Sequence, residues 1–305
     1  MRARRWATTV PEPAMAVDLH IHSTASDGSQ TPQEIVAEAI QRGLTAIALA
    51  DHDTVSGIDA ALQAAAGLPL LVIPAVEINT DVGPTEAHIT GYWIDHRSAG
   101  LLELLGRTKQ KRVERAEKMV ERLRGMDIPI EMPMVLREAA GGAVGRPHVA
   151  MALVRMGVCG VPQEAFERFL KRGRPAYVRR YKLTPEEAIE AIRDAGGVPA
   201  LSHPGLMHKD DLIPRFVRAG LEGLEAYHTD HSLADIARYL ELARRFGLVV
   251  VGGSDSHGPR GTRPVEIGQV VVPDEVLAPL RERADQVRAS RGGRPASPPL
   301  ERRIP

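Results

Sequence analysis

This chain of 305 residues has a single cysteine, no long apolar run and no excess of charge of either sign. A lone Cys159 excludes an internal disulfide framework and suits a protein of the reducing cytoplasm. No segment approaches the roughly 18 apolar residues of a membrane span, and none follows the basic start as in a signal peptide. The 39 basic residues balance 39 acidic ones, so net charge gives no reason to expect a nucleic-acid or membrane surface. We expect a cytoplasmic protein without an obligate protein partner.

The sequence also lacks the motifs of covalent phosphatases and esterases. No Cys-x5-Arg or Gly-x-Ser-x-Gly pattern is evident, so no sulfur or serine nucleophile is predicted. Any hydrolysis that this chain catalyses is therefore expected to use another source of the nucleophile, such as water activated by a metal ion.

Apolar segments with the character of strands alternate with amphipathic segments along most of the chain. Thr31-Pro32 and Thr184-Pro185 have the pattern of a helix cap followed by proline in the first turn. About seven repeated strand–helix units predict a mostly parallel α/β barrel. The strand candidates are 16–21, 44–50, 68–77, 87–94, 198–202, 221–227, 247–253 and 267–272.

The alternation stops between about residues 99 and 183, where the pattern predicts helices only. We interpret this segment as a helical cap inserted into the barrel, and the charged run within it as a solvated helix face. The ends of the chain are rich in arginine, proline, serine and glycine and are predicted to be flexible. The predicted division is a tail at 1–14, a barrel at 15–98 and 184–289, a cap at 99–183 and a tail at 290–305.

Residues of metal-ligand type recur where the apolar strands stop. Histidine and carboxylate side chains are common ligands of divalent metals, and the carboxyl ends of parallel barrel strands meet on one face. The sequence therefore predicts one polynuclear metal centre assembled from the whole chain, and with it a metal-dependent hydrolase. The residues concerned are Asp18, His20, His22, Asp51, His52, Asp53, Glu77, His88, His203, Asp255 and His257.

Spacing sharpens several of these assignments. His20 and His22 are two residues apart, so on a strand both imidazoles project from the same face. Asp18 is in phase with them and could orient an imidazole. Glu77 ends an apolar run, where a carboxylate could bridge two metals.

Each residue also has an ordinary interpretation. Asp27-Gly28 could be a turn, Asp51-His52-Asp53 a helix-capping loop, and His88 a structural histidine. The position of eight of the eleven histidines at or beside predicted strand ends favours the metal centre over these alternatives.

The order of these groups resembles the PHP (polymerase and histidinol phosphatase) superfamily of metal-dependent phosphoesterases. The resemblance extends over roughly 16–285 and is closest to the bacterial branch that acts on nucleoside 3',5'-bisphosphates and short RNA. It implies a distorted (β/α)7 TIM-like barrel with the inserted helical cap. It rests on Asp18-Leu-His-Ile-His22 with Asp27-Gly28, Ala50-Asp-His-Asp53, Glu77, His88, His203-Pro204, Ser254-Asp-Ser-His257, Gly145-Arg-Pro-His148 and Ala226-Tyr-His-Thr-Asp-His-Ser232.

The resemblance further implies two or three divalent ions, manganese, iron or zinc. One ion would take His20, His22, Glu77 and Asp255; a second would share Glu77 and add His88 and His203; a third would take Asp27, His52 and His257. Asp18, Asp51 and Asp53 would support these ligands.

The substrate is expected to be a small phosphorylated nucleotide, and short RNA could also be trimmed from its 5' end. Arg146 and His148 would bind phosphate, while His228 or His231 would protonate the leaving group. Tyr177 and Arg179 lie in the one dense basic cluster, 171–182, which is either a nucleotide-binding element or a solvated loop.

The expected reaction is release of phosphate from a monoester by metal-activated hydroxide. Two alternatives remain open. An amidohydrolase also begins with His-x-His at a strand end, and a metal-binding regulatory module could have the fold without the activity.

Overall fold

The computed structural model of the protein describes residues 16–139, 144–179, 181, 183–261 and 265–292. The predicted tails lie outside the described residues, apart from 290–292. Within the described residues, eight strands form a single sheet, ordered β7-β6-β5-β4-β3-β2-β1-β8. They are β1 (Ala16–Ile21), β2 (Ala46–Leu49), β3 (Leu71–Val82), β4 (Thr85–Tyr92), β5 (Val198–Leu201), β6 (Gly223–His228), β7 (Val249–Gly253) and β8 (Val272–Pro273).

The sheet closes on itself between its first and seventh strands. The backbone N–H of Asp255 donates to the carbonyl of His20, and the N–H of His22 donates to the carbonyl of Ser256, both at 2.9 Å. The two-residue β8 pairs antiparallel with the start of β1. The predicted α/β barrel is confirmed, with seven strands around the barrel and a short eighth strand beside β1.

The main departure from the predicted barrel is a hairpin formed by β3 and β4. Strand β4 runs antiparallel to both β3 and β5, whereas the other neighbouring pairs among β1–β7 are parallel. Gly83, at a φ of +61°, lies in the turn that joins the two strands. The sequence pattern had placed Glu77 at the end of a strand. Because β3 continues to Val82, Glu77 lies inside this strand instead.

Eleven helices surround or extend the barrel in the described residues. They are α1 (Pro32–Gln41), α2 (Ile58–Ala64), α3 (Ala99–Arg124), α4 (Met132–Ala139), α5 (Arg146–Arg155), α6 (Pro162–Ala165), α7 (Pro185–Asp194), α8 (Pro204–Met207), α9 (Ile213–Arg218), α10 (Leu233–Phe246) and α11 (Leu277–Ser290). A π-helical segment, Phe166–Leu170, follows α6. Thr31, Thr184 and Ser232 each form a capping box at the start of a helix.

Between β5 and β6 the chain forms α8, then a 3₁₀ turn at Asp210–Leu212 that leads directly into α9. His208 ends α8 in the left-handed region, at a φ of +51°, and that backbone conformation prevents a continuous helix.

Helices α3 to α6 carry a hydrophobic core that is separate from those of the barrel. Met119, Leu123, Ile130, Val149 and Leu153 are buried within it. Cys159 is buried in this core. Among the described residues, no helix is long and apolar enough to cross a membrane.

Candidate metal centre

Five imidazoles surround the carboxylate of Glu77, whose side chain is buried on β3. Glu77 is positioned by backbone pairing with the loop after β2, in which Asp53 N–H donates to its carbonyl. Glu77 Oε2 lies 3.3 Å from His20 Nε2, 3.4 Å from His22 Nε2 and 2.9 Å from His52 Nδ1, and Oε1 lies 2.9 Å from His88 Nδ1 and 3.0 Å from His203 Nε2.

The antiparallel direction of β4 explains why His88 belongs to this group. His88 is in the first half of β4, and the start of an antiparallel strand lies beside the far end of its partner β3. His88 is paired in register with Asn79, two residues beyond Glu77. A histidine near the start of one strand therefore meets ligands near the ends of others.

Asp255 provides a second carboxylate, at the end of β7. Its Oδ1 lies 3.0 Å from His22 Nε2 and 3.7 Å from His20 Nε2, so all three residues could bind one ion. Asp255 has a φ of +56°, and His203 has one of +29°. Such strained backbone at two candidate ligands is typical of functional sites.

A third group lies on the more exposed side of the centre. One ligand atom from each of its four residues, His22, Asp27, His52 and His257, lies within 4.8 Å of the others. Asp27 Oδ1 is 3.5 Å from His257 Nε2, and the Asp27 side chain is 54% exposed. We call these candidate metal ligands together the histidine–carboxylate cluster. Its members are His20, His22, Asp27, His52, Glu77, His88, His203, Asp255 and His257.

Several buried polar atoms of this cluster have no hydrogen-bond partner among the described residues. These are His20 Nε2, both ring nitrogens of His22, Glu77 Oε2 and His88 Nε2. Buried polar atoms without hydrogen-bond partners are costly and rare in native proteins. Here His20 Nε2 and His22 Nε2 both lie within 3.4 Å of Glu77 Oε2. Imidazole nitrogen and carboxylate oxygen suit divalent ions, so the residues fit such ions at this position.

The electrostatics of the cluster are those of tightly coupled opposite charges. Burial disfavours the charged form of Glu77, but the surrounding imidazoles outweigh it and hold the pKa of Glu77 well below its usual range. Burial likewise opposes a charge on His88, yet Glu77 and Glu86 raise its pKa to about 10. The pKa of His257 is raised to about 9 by Asp27 and Asp255 against the effect of burial. The cluster thus strongly attracts positive charge.

The three aspartates predicted to support the ligands hold backbone and loops. Asp18 Oδ1 accepts from the backbone N–H of His20 and of Ser254, so it ties β1 to the residue that follows β7, and among the described residues no hydrogen bond joins Asp18 to an imidazole. Asp51 accepts hydrogen bonds from the side chains of Ser23 and Ser26.

Asp53 accepts from the backbone and side-chain amides of Asn79, and it also pairs with Arg112 of α3.

Glu225 holds the ring of His20, and no motif in the sequence indicated this residue. It is fully buried on β6; its Oε1 lies 3.0 Å from His20 Nδ1, and its Oε2 accepts from the backbone N–H of His203. A glutamate within the otherwise apolar Leu224–Tyr227 segment was the available signal, because a buried carboxylate requires partners. No motif indicated Asn79 or Arg112 either. Arg112 could not be distinguished in the sequence because it lies in a helix with many other charged residues.

The two candidate acids, His228 and His231, differ sharply in their surroundings. His231 has both ring nitrogens occupied by backbone: Nδ1 is 2.8 Å from the carbonyl of Ala226, and Nε2 accepts from Gly205 N–H at 3.1 Å. His228 Nδ1 accepts from the N–H of Asp230, while its buried Nε2 has no hydrogen bond and lies 3.6 Å from Asp255 Oδ2. Only His228 faces the cluster with a ring nitrogen that could exchange a proton.

The predicted substrate-binding residues lie in the inserted segment. Arg146 is partly buried over the ring of Phe166, 5.7 Å from its centroid, and His148 Nδ1 accepts from Gly145 N–H. Tyr177 is held through its carbonyl by Arg122, and Arg179 is exposed. In the described part of the chain no hydrogen bond or ion pair joins these four residues to the cluster. Arg180 and Lys182 of the basic stretch lie outside the described residues.

An α/β barrel with nine histidine and carboxylate side chains gathered at one end is the architecture of a metal-dependent hydrolase. Residues 18–129 match the PHP domain family. A solved structure from Bifidobacterium adolescentis, described as a metal-dependent phosphoesterase, is 31% identical with a TM-score of 0.73, covering 89% of this chain and 97% of that one.

Curated relatives agree with this family. The 5'-3' exoribonuclease Rnm of Escherichia coli is 35% identical over 81% of this chain and 86% of its own length. The phosphoribosyl 1,2-cyclic phosphate 1,2-diphosphodiesterase of Eggerthella lenta is 33% identical, over 82% and 97%. The 3',5'-nucleoside bisphosphate phosphatase of Chromobacterium violaceum is 33% identical, over 80% and 87%. The chain belongs to the PHP family and is a metal-dependent phosphoesterase.

Proposed function

We propose that the histidine–carboxylate cluster binds two or three divalent ions, manganese, iron or zinc, with Glu77 shared between two of them. The observation that supports this most directly is the buried Glu77 carboxylate with five imidazoles around it. The proposed sets are His20, His22, Glu77 and Asp255; Glu77, His88 and His203; and Asp27, His52 and His257. The proximity of His52 to Glu77 and of His22 to His257 would also let ligands be exchanged between neighbouring sets.

The ions would act as Lewis acids on phosphate oxygens and would lower the pKa of water. The protein's own part in the reaction is to hold the phosphorus ester against this centre and to deliver a proton to the leaving oxygen. We assign that proton to His228. In the neutral ring Nδ1 accepts from the N–H of Asp230; the proton donor is the imidazolium, whose Nδ1–H would face Asp230 Oδ2, 3.9 Å away, and whose Nε2–H faces the cluster and returns the ring to the neutral form when it is donated. Burial opposes protonation of His228, but Asp255 and Glu225 raise its pKa.

The substrate that we propose is a phosphate monoester of a nucleotide, such as a nucleoside 3',5'-bisphosphate, with short RNA as a further substrate. Two of the relatives are named for these activities, and a third for a phosphoribosyl cyclic phosphate. We also propose that residues 99–183 form a cap over the substrate, with Arg146, His148, Tyr177 and Arg179 facing it when it is bound. A nucleotide substrate suits a cytoplasmic enzyme, which is the location that we propose.

Metal analysis combined with phosphate release tests this function. The purified protein is analysed for metals per chain and assayed with adenosine 3',5'-bisphosphate, AMP, p-nitrophenyl phosphate, phosphoribosyl 1,2-cyclic phosphate and a short RNA. His20→Ala should lose metal and activity. His96→Ala is the matched control, because His96 pairs with Asp59 outside the cluster. The function would be refuted by an absence of metal-dependent hydrolysis of every substrate, followed as nucleotide release for the RNA and as phosphate release for the monoesters, or by equal hydrolysis with His20→Ala.

A further inference from the structure

Helix α3 joins two hydrophobic cores. Its first half packs into a core of the barrel through side chains that include Leu101 and Leu105. Its second half packs into the core of the inserted helices through side chains that include Ala116 and Met119. Arg112 lies between these two halves, so it stands where the helix passes from the barrel to the inserted segment.

Arg112 pairs with Asp53, which follows His52 in the loop after β2. The side chain of Asp53 is 3% exposed, and that of Arg112 is 22% exposed. A carboxylate this deeply buried needs a partner, because removing one member of a buried ion pair leaves a charge that water reaches poorly. The pair therefore fastens α3 to the loop that carries His52.

Asp53 also connects this loop to β3. Its Oδ1 accepts from the backbone N–H of Asn79, and its Oδ2 accepts from Asn79 Nδ2, both at 3.0 Å. The backbone N–H of Asp53 donates to the carbonyl of Glu77 at 2.9 Å. Asp53 has a φ of +52°, a backbone conformation that is uncommon outside glycine and persists only where the surroundings hold it. The pair with Arg112 is part of that support.

The ring of His52 takes its position from this loop. Its Nδ1 lies 3.4 Å from Asn79 Nδ2 and 2.9 Å from Glu77 Oε2. Its Nε2 lies on the other side of the ring, 3.8 Å from Asp27 Oδ2, and faces the third proposed ligand set. The Asp27 side chain is largely exposed, so this set has less packing around it than the buried ones. A displacement of the loop would therefore move one ligand of the third set away from the others.

We propose that Arg112 is a positioning residue for the third ion: through Asp53 it holds His52 where the imidazole can bind that ion. This inference rests on the proposed function, since it assumes that ions bind at the histidine–carboxylate cluster. Partners that hold a metal ligand typically contribute about 10–100-fold to metal affinity. Because Arg112 belongs to α3, the third ion and the observed position of this helix favour each other, as linkage requires.

Four variants and a matched control test this role. Arg112→Gln removes the cation of the pair, Arg112→Lys keeps a positive charge, Asp53→Asn removes the carboxylate, and a double variant combines Arg112→Gln with Asp53→Asn. The control is Arg107→Gln, the same chemical change at an exposed position of the same helix. Thermal unfolding of each metal-free protein is measured first. If Arg112→Gln alone fails to fold, Asp53→Asn and the double variant suffice, because neither leaves the carboxylate buried without its cation.

Manganese and zinc titrations against a competing chelator measure the affinity for each ion. Asp27→Asn identifies the third ion, as the one whose affinity falls in that variant. Arg112→Gln and Asp53→Asn should each weaken the same ion about tenfold or more, whereas Arg112→Lys should keep most of the affinity and Arg107→Gln all of it. The double variant should lose no more than the weaker of the two single variants, because both substitutions break one pair.

Amide hydrogen exchange in the metal-free protein gives a second result that needs neither metal nor turnover. The backbone N–H groups of Asp53 and Asn79 should exchange about tenfold faster or more in Arg112→Gln than in Arg107→Gln. This factor corresponds to the loss of one charge-assisted hydrogen bond from the loop after β2. Equal exchange in the two variants would show that Arg112 does not hold the loop.

Three further results would overturn the inference. The first is an unchanged affinity for the third ion in Arg112→Gln, including the case in which only KM for adenosine 3',5'-bisphosphate rises, since Arg112 would then act on the substrate directly. The second is additive losses in the double variant. The third is an Asp27→Asn variant that changes the affinity for no ion, because no third ion would then exist.

Failure of the proposed function has a different signature, since the wild type would then hydrolyse none of the substrates. The metal titrations and hydrogen exchange would still decide the role of Arg112 in that case, because they do not depend on hydrolysis. A wild-type protein that binds no ion at all would refute both.

Discussion

At the scale of single residues, Glu77 connects more of the proposed centre than any other side chain. It contacts five imidazoles that come from β1, β4 and the loops after β2 and β5. We predict that Glu77→Gln, which keeps the shape but removes the charge, loses at least one metal per chain and lowers kcat/KM by about a hundredfold or more. Metal analysis and phosphate release measure this. Glu241→Gln, at an exposed pair with Arg244, is the control and should keep both properties.

Glu225 is predicted to be a positioning residue. It fixes the orientation of the His20 ring through Nδ1, and such partners typically contribute about 10–100-fold to metal affinity. Glu225→Gln should therefore weaken metal binding by about that factor, measured by competition with a chelator. Added metal should restore most of the activity. An unchanged metal affinity would show that this contact does not orient the ligand.

The effect of replacing His228 on the rate is predicted to depend on the leaving group. Removing a general acid typically costs about 10²–10⁴-fold in rate, so His228→Gln should lower kcat on a nucleotide by about this factor while metal content stays the same. p-Nitrophenolate leaves readily without a proton, so p-nitrophenyl phosphate should be far less affected. Equal losses on both substrates would argue against proton transfer by His228.

At the scale of elements, the closure of the barrel between β1 and β7 determines where His20 lies. Gly253 ends β7, and a Cβ there would lie 2.4 Å from His20 N and 2.8 Å from Asp18 Oδ1. Only glycine allows this approach, so the strand ends that carry His20 and Asp255 depend on it.

We predict that Gly253→Ala destabilises the protein by about 1–3 kcal/mol through overpacking and also weakens metal binding. Chemical denaturation and metal titration measure the two effects. The control is Gly106→Ala on α3, where a Cβ meets nothing within 4 Å; it should stabilise the helix by up to about 1 kcal/mol. If Gly253→Ala were as stable and as metal-competent as the wild type, the strand closure would have more room than the structure shows.

At the scale of the whole molecule, metal binding should stabilise the fold. The cluster joins β1, β3, β4 and β7 with the loops after β2 and β5, so ions bound there hold together elements distant in sequence. A ligand present at a hundred times its Kd stabilises by about 2.7 kcal/mol. Chelation should therefore lower Tm by about 5–10 °C, and manganese or zinc should restore it. A Tm that is insensitive to both would mean that the ions contribute nothing to stability.

The sequence by itself determined the barrel and named the nine candidate ligands that the structure brings together. Apolar strand segments, caps such as Thr31 and Thr184, and ligand-type residues at strand ends are local signals, because each follows from neighbouring residues. Six of the eight strand candidates agree with the structure to within two residues at each end: β1, β2, β4, β5, β6 and β7 with their counterparts in the predicted list.

Only the tertiary structure decided which groups face one another. The direction of β4, which brings His88 to Glu77, depends on the β3–β4 hairpin and not on the pattern within either strand. Glu225 and His20 are 205 residues apart, and Asn79 meets Arg112 of α3 through Asp53. Such contacts depend on how elements pack, and packing is set by the whole chain at once. For that reason the sequence could name the candidate ligands, while the residues that hold them in place, such as Glu225, emerged only from the fold.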